Sequence, residues 1–204
     1  MPRLDPAEQL FFEKLQTFLN PKQESHIKGR VRKICGVDAA YAEDDVRAVA
    51  TVLDAEGRLI EQAESEGHAT FPYVSGLFFL REGPFVTEAV RRLVEKPDLL
   101  CFDAHGLAHP RNRGLATICG MILGIPSVGI SKSKLVGEIQ RYKPGLDKLV
   151  FQDVKVGFVT EKPRRFWSPG FSVSITELES IIDELRAICI ASILTSHNSA
   201  KKSH

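Results

Sequence analysis

The stretch from residue 98 to residue 130 constrains this chain most. In "DLLCFD" the apolar run Leu99 to Phe102 is closed at both ends by an acid. A second short apolar run spans Ser127 to Ile130. Between them, residues 112–124 read as a helix that Gly124 and Pro126 close. An apolar run without alternation belongs to a strand covered on both faces. Strand, helix and strand at this spacing form a parallel βαβ unit.

Upstream lie three strand signals, Lys33 to Tyr41, Arg47 to Leu53 and Leu59 to Gly67. The polar turns between them are too short for crossovers, so they form an antiparallel meander. The expected fold class is therefore α/β: a mixed sheet, three-stranded antiparallel meander plus parallel strands, flanked by helices. Residues 6–19 place Leu10, Phe11, Leu15, Phe18 and Leu19 at helical spacing, and 20–32 reads as a linker. Residues 75–95 are helical, with a break expected at Gly83-Pro84. Residues 149–168 alternate strand-like segments with turns. A last helix starts at Ser174, where Glu177 completes a capping box, and residues 196–204 read as a frayed tail.

The length of 204 residues suggests one domain over 1–204. No apolar run reaches the ~18 residues that span a bilayer. The longest candidate, Ile118 to Ile130, is cut by glycines and Pro126, and the N-terminus has no signal-like core. The expectation is a soluble, cytoplasmic protein without membrane contact. Cys35, Cys101, Cys119 and Cys189 form no CxxC pair, which excludes the usual zinc and thioredoxin patterns, and Cys35 and Cys101 read as buried hydrophobes. The net charge of +1 announces no nucleic-acid binder, yet residues 111–148 hold seven Lys/Arg against Glu138 and Asp147. Such a patch tracks a phosphate backbone or is simply a solvated face.

The acids are more specific. Ligand sites of open α/β sheets lie at the C-terminal ends of parallel strands. Asp103 ends one such run, and Asp38 follows Ile34-Cys35-Gly36-Val37 inside the first strand. If these strands are neighbours, the two carboxylates face each other, and they repel unless a cation sits between them. Hard divalent ions prefer such oxygen ligands. Glu82, in "FLREGP", is a third candidate. His105 and His109 have the spacing of a helical zinc pair, but Gly106 and Pro110 oppose a helix there. His26, His68, His197 and His204 have no constellation and read as surface residues.

Together these segments resemble endonuclease V, the inosine- or deoxyinosine-directed nuclease family of the RNase H-like fold. The resemblance rests on "CGVDAAY", "PYVSGLFFLREGP", "PDLLCFDAHGLAHPRNRGLA" and "PSVGISKSKLVG" and is strongest over residues 30–140. It implies that Asp38, Glu82 and Asp103 hold Mg²⁺, with Mn²⁺ able to substitute. It implies a catalytic base at His109, a catalytic lysine at Lys132, and supporting roles for Asp98, Arg81 and His105. Tyr73 falls on a wedge that fills the gap left by a flipped base. Gly76, Ala104, Leu115 and Gly129 fall near the pocket for hypoxanthine. The implied reaction cuts a phosphodiester 3′ of a deaminated adenine in DNA, leaving 3′-hydroxyl and 5′-phosphate ends, by a monomeric enzyme of DNA repair. An inosine-specific endoribonuclease, a nuclease for another structured nucleic acid and a catalytically silent binding module remain open beside it. The chain departs from the family at Ala104, where glycine is usual, at Val74-Ser75, where Ile-Pro is usual, and at Phe171, where a histidine is usual.

Overall fold

The computed structural model describes residues 4–19, 27 and 29–201. Its centre is a nine-stranded open sheet in the order β3-β2-β1-β4-β5-β9-β8-β7-β6. The meander is β1 (Lys33–Ala42), β2 (Asp45–Asp54) and β3 (Leu59–His68), paired antiparallel. Helix α2 (Phe78–Arg91) leads to β4 (Leu99–Phe102), which pairs parallel with β1. Helix α3 (Leu115–Leu123) crosses to β5 (Ser127–Ser131), parallel to β4. The sheet then continues antiparallel through β6 (Glu138–Lys143), β7 (Leu146–Phe151), β8 (Val154–Glu161) and β9 (Arg164–Pro169), with β9 docking on β5. Helix α1 (Pro6–Phe18) opens the described chain and α4 (Ile175–Lys201) closes it.

Helices cover both faces, so the expected mixed sheet holds. Alternation along β1 and β4 sorts the side chains. Cys35, Val37, Leu100 and Phe102 pack with Val86, Ala89 and Cys119 of α2 and α3. Ile34, Leu99 and Cys101 pack with Leu178, Ile182 and Ile193 of α4. This period of two puts Asp38 and Asp103 on the α4 face.

Local chemistry sets the helix ends. Asp5 caps α1 with a full capping box to Glu8, and Pro6 starts the helix. Ser174 and Glu177 form the expected capping box at α4, with Glu177 N–H on Ser174 Oγ at 3.2 Å. Gly124 ends α3 with φ +67°.

Three expectations are corrected. The Gly83-Pro84 break does not occur, and α2 starts at Phe78 rather than 75 and continues through Pro84. A proline inside a helix costs ~3 kcal/mol. Burial of Val86, Ala89 and Val90 against the sheet offsets that loss. The tail expected over 196–204 is helical to Lys201, with Ser196 and Ala200 buried. Ser196 Oγ donates to the Gly36 carbonyl at 2.8 Å and stands 2.7 Å from Thr51 Oγ1. Strand β6 was not anticipated at all, and it is an exposed edge strand with little apolar signal. The supposed linker 20–32 lies mostly outside the described residues.

The close approach of α4 to β1 depends on Gly36. A Cβ there would sit 2.1 Å from the Ser192 carbonyl carbon and 2.3 Å from the Ile193 nitrogen. Both are backbone atoms, so no side-chain rotation relieves the clash. Gly36→Ala is expected to destabilise the fold by about 1–3 kcal/mol or more, read as a lower urea midpoint. An unchanged midpoint would show that α4 has room to withdraw.

Candidate functional site

Parallel pairing of β1 and β4 matches Val37 with Phe102. The next residues, Asp38 and Asp103, therefore leave adjacent strand ends side by side. His197 on α4 completes the group: one ligand atom from each of Asp38, Asp103 and His197 lies within 4.8 Å of the others. His197 Nδ1 is 2.5 Å from Asp38 Oδ2. Lys132 Nζ, just past β5, donates to Asp103 Oδ2 at 2.5 Å. Burial holds the Asp38 carboxyl above the usual carboxylate range, and the charge of Asp103 adds to that, while His197 opposes it. The pair is thus short of positive charge in a poorly solvated place. Two carboxylate oxygens and one imidazole nitrogen suit a divalent cation.

His197 is the residue that sequence reading missed, and its assignment to the surface is wrong. Its signal was its position on the last helix, in register with small residues that let the helix close on β1. Glu82 lies outside the compact group. It sits buried on α2, which packs on the opposite face of the sheet. Burial raises its carboxyl to about 8, and the charges of Asp38 and Asp103 push the same way. Its neighbour Arg81 is buried, with its guanidinium 4.9 Å from the Tyr41 ring centre. Arg81 donates to the Phe71 carbonyl at 2.7 Å and pairs with Asp44 at 3.1 Å.

The structure does not bring Asp98 to this group. Asp98 stands at the opposite end of the sheet, where its carboxylate accepts the backbone N–H groups of Arg32 and Lys33. It ties the start of β1 to the start of β4.

A cavity of about 160 Å³ opens beside Asp103, lined by Tyr73, Gly76, Phe79, Ala104, His105 and Leu115 among others. An apolar cavity of ~150 Å³ takes a benzene ring, so this space suits one flat ring. Tyr73 stands 71% exposed at its mouth, its ring edge-on to Phe78 at 5.6 Å. Gly129 is not in the lining. It lets β5 meet the next loop, because a Cβ there would lie 2.5 Å from the Ala104 carbonyl. Ala104 does not have positive φ, so its methyl adds bulk without backbone strain. A larger cavity of about 460 Å³, lined by Val31, Ile181 and Leu185 among others, contains none of the expected site residues.

The cavity loop is tied down by a second missed residue. Gly76 has φ +82°, which favours glycine. Its carbonyl accepts from Arg111 at 2.8 Å and lies 3.1 Å from His109 Nε2. Arg111 Nε in turn donates to Gln16 Oε1 at 2.5 Å, and Gln16 Nε2 donates to the Arg113 carbonyl at 2.5 Å. Gln16 is fully buried on α1, so the first helix braces the loop that carries Tyr73. His109 also accepts the Arg111 N–H at Nδ1, 3.2 Å away. Both its ring nitrogens are engaged by the chain. Burial lowers its pKa to about 4, and burial likewise lowers His105 to about 4.

Among the described residues, all four cysteines are free and buried, and no helix is long and apolar enough to cross a membrane.

Comparison with known proteins places these features in one context. The sequence profile described as Endonuclease V matches residues 13–187. A curated endonuclease V from Saccharolobus islandicus is 34% identical over 169 residues, covering 82% of this chain and 83% of the relative. The crystal structure of endonuclease V from Streptomyces avermitilis superposes with a TM-score of 0.79 at 26% identity, covering 99% of this chain and 93% of that one. Endonuclease V from Ciona intestinalis, solved in complex with a 24mer DNA containing an inosine followed by a ribo-adenosine, shares the fold. Its TM-score is 0.81 at 16% identity, over 97% of this chain and 98% of that one.

The histidine in the loop generates a pH prediction. His109 in the folded chain titrates near 4, below its ordinary value of 6.5. Between these values the unfolded chain binds the proton and the folded chain does not. The contribution of His109 to stability is therefore full above about pH 6.5 and is lost as pH drops toward about 4. Because the raised carboxyls of Glu82 and Asp38 act in the opposite sense, the readout is the difference between the two proteins: from pH 7 to pH 4 the urea midpoint of wild type is expected to fall relative to that of His109→Asn. Identical slopes for the two proteins would remove His109 from the acid sensitivity.

Proposed function

The chain belongs to the endonuclease V family, and from that premise we propose that it hydrolyses a phosphodiester of nucleic acid carrying a deaminated adenine. The observation that carries this reading is the meeting of Asp38, Asp103 and His197 at the ends of two parallel strands, beside a cavity of about 160 Å³. The inosine-containing DNA bound to the Ciona relative supports inosine as the base recognised.

Asp38 and Asp103 would hold a divalent cation, Mg²⁺ with Mn²⁺ as a substitute, and His197 fits as a third donor. Such a cation, when bound, polarises the scissile phosphate and lowers the pKa of a coordinated water. In the reaction, water oxygen bonds to phosphorus and the P–O3′ bond breaks. The O3′ takes up a proton, leaving a 3′-hydroxyl and a 5′-phosphate. The cut is placed 3′ of the lesion, as in the family. Lys132, fixed against Asp103, supplies a positive charge where negative charge builds on the phosphate. Glu82, which burial keeps protonated near neutral pH in the free protein, would supply further negative charge from the α2 side only once a cation offsets the charges of Asp38 and Asp103.

Tyr73 is suited to stack where the flipped base has left the helix. The cavity with Gly76, Ala104 and Leu115 takes the base itself. His109 acts here as a neutral brace for the Gly76 carbonyl rather than as a free base.

Four matched strands test the reading: DNA and RNA, each with and without one inosine, incubated with Mg²⁺. Cutting is expected only with inosine present, and the preferred sugar is read from the same experiment. Asp103→Asn is expected to abolish cutting while leaving binding largely intact, because the amide keeps the shape and loses the charge. Near wild-type cutting by that variant would overturn the metal assignment.

His197 makes a separate prediction. Loss of a residue that orients or binds a metal ligand typically costs 10–100-fold in metal affinity or activity. His197→Ala is expected to raise the Mg²⁺ concentration for half-maximal cutting by about that factor. An unchanged metal titration would show that the imidazole only packs against Asp38.

A further inference from the structure

Beyond Lys132 the sheet continues into β9, β8, β7 and β6, a wing that the proposed chemistry does not use. Residues 138–169 on this wing hold seven Lys/Arg (Arg141, Lys143, Lys148, Lys155, Lys162, Arg164 and Arg165) against four acids (Glu138, Asp147, Asp153 and Glu161). Three of the cations gather around one aromatic ring. Tyr142 on β6 is 43% exposed. Lys148 Nζ lies 4.3 Å from its ring centre, and Lys143 and Lys155 Nζ each lie 5.9 Å away. The fully buried Phe158 anchors the ring at 6.1 Å.

The three lysines are not equivalent. Lys143 is neutralised by Glu179 at 3.0 Å and Asp183 at 2.8 Å, both on α4. The side-chain ammonium groups of Lys148 and Lys155 make no ion pair or hydrogen bond among the described residues, only the ring contacts. The face of the ring holds ammonium groups through its quadrupole, so two unneutralised charges are kept close together on a rigid plate. Like charges gathered in this way favour an anionic partner with closely spaced charges. A phosphodiester backbone has that chemistry, and its binding is strengthened by counterion release.

We propose that the plate formed by Tyr142, Lys148 and Lys155 is a second contact for the nucleic-acid backbone, gripping a flank away from the cut. This inference rests on the nucleic-acid reading of the acid site. The Tyr142 hydroxyl reaches Glu179 at 3.5 Å, and His197 lies further along the same helix. Helix rise puts about 27 Å between those two positions, or about eight base steps of duplex at 3.4 Å each. Short substrates centred on the lesion end before the plate, and long ones reach it.

The test compares wild type with the double variant Lys148→Gln/Lys155→Gln. Duplex DNA of 12 and 40 base pairs, each with one central inosine, is cut with Mg²⁺. The variant is expected to lose about tenfold in kcat/KM on the long duplex and nothing on the short one, with unchanged rates at saturation. Anisotropy with the unmodified 40-base-pair duplex, without metal, is expected to show a salt slope smaller by about 1.8 for the two lost phosphate contacts. Equal kcat/KM and equal salt slopes for the two proteins would overturn the plate, as would an equal loss on both lengths. If wild type fails to cut either inosine duplex, the proposed function is at fault. The anisotropy result still decides the plate in that case.

Discussion

Everything in the candidate site depends on two carboxylates being held together at the end of a parallel strand pair. Left alone, they repel, and burial makes that repulsion stronger. The register that pairs Val37 with Phe102 leaves Asp38 and Asp103 no way to separate. The surrounding protein answers with cations and donors from different elements: Lys132 from the end of β5 and His197 from α4. Glu82, on α2 at the far side of the sheet, adds no charge to that repulsion at neutral pH, because burial keeps its carboxyl protonated up to about pH 8. The site is an electrostatic balance left deliberately incomplete within the protein, and a divalent cation is the simple way to complete it.

The parts legible in the sequence were those written in period and punctuation. Short polar turns announced the meander, and uninterrupted apolar runs announced β4 and β5. Asp38 and Asp103 stood out because an acid closing or interrupting such a run needs a reason. His197 was not legible for the same physical cause that hid the end of α4. Where a helix presses on a strand, small residues replace the apolar stripe, so Ser192, Ser196 and Ala200 look like a loosening tail. Gly36 is the matching half of that contact, and neither half is informative without the other. Pro84 misled in the opposite direction: a local breaker was overruled by the apolar face that follows it. Gln16 was hidden because a buried amide on a short helix carries no spacing signal, only partners distant in sequence.

Two positions around the cavity have separate physical consequences. Ala104 does not have positive φ, so its methyl concerns cavity shape and leaves the backbone relaxed. The loop carrying Tyr73 is fixed from outside, by the bonds that run from Gln16 through Arg111 to the Gly76 carbonyl.

The arrival of His197 from the last helix has a consequence for the chain while it is being made. A ribosome adds residues from the N-terminus, and domains form as their segments emerge. A nascent chain that has reached residue 150 already contains Asp38, Glu82, Asp103 and Lys132, yet it lacks both the imidazole and the helix that seats it. The incomplete polypeptide therefore carries the two acids without the imidazole that meets Asp38. The contact of His197 with Asp38 and the bond from Ser196 to the Gly36 carbonyl form only after α4 has been made, and β1, among the first strands synthesised, waits for a helix that comes last in the chain.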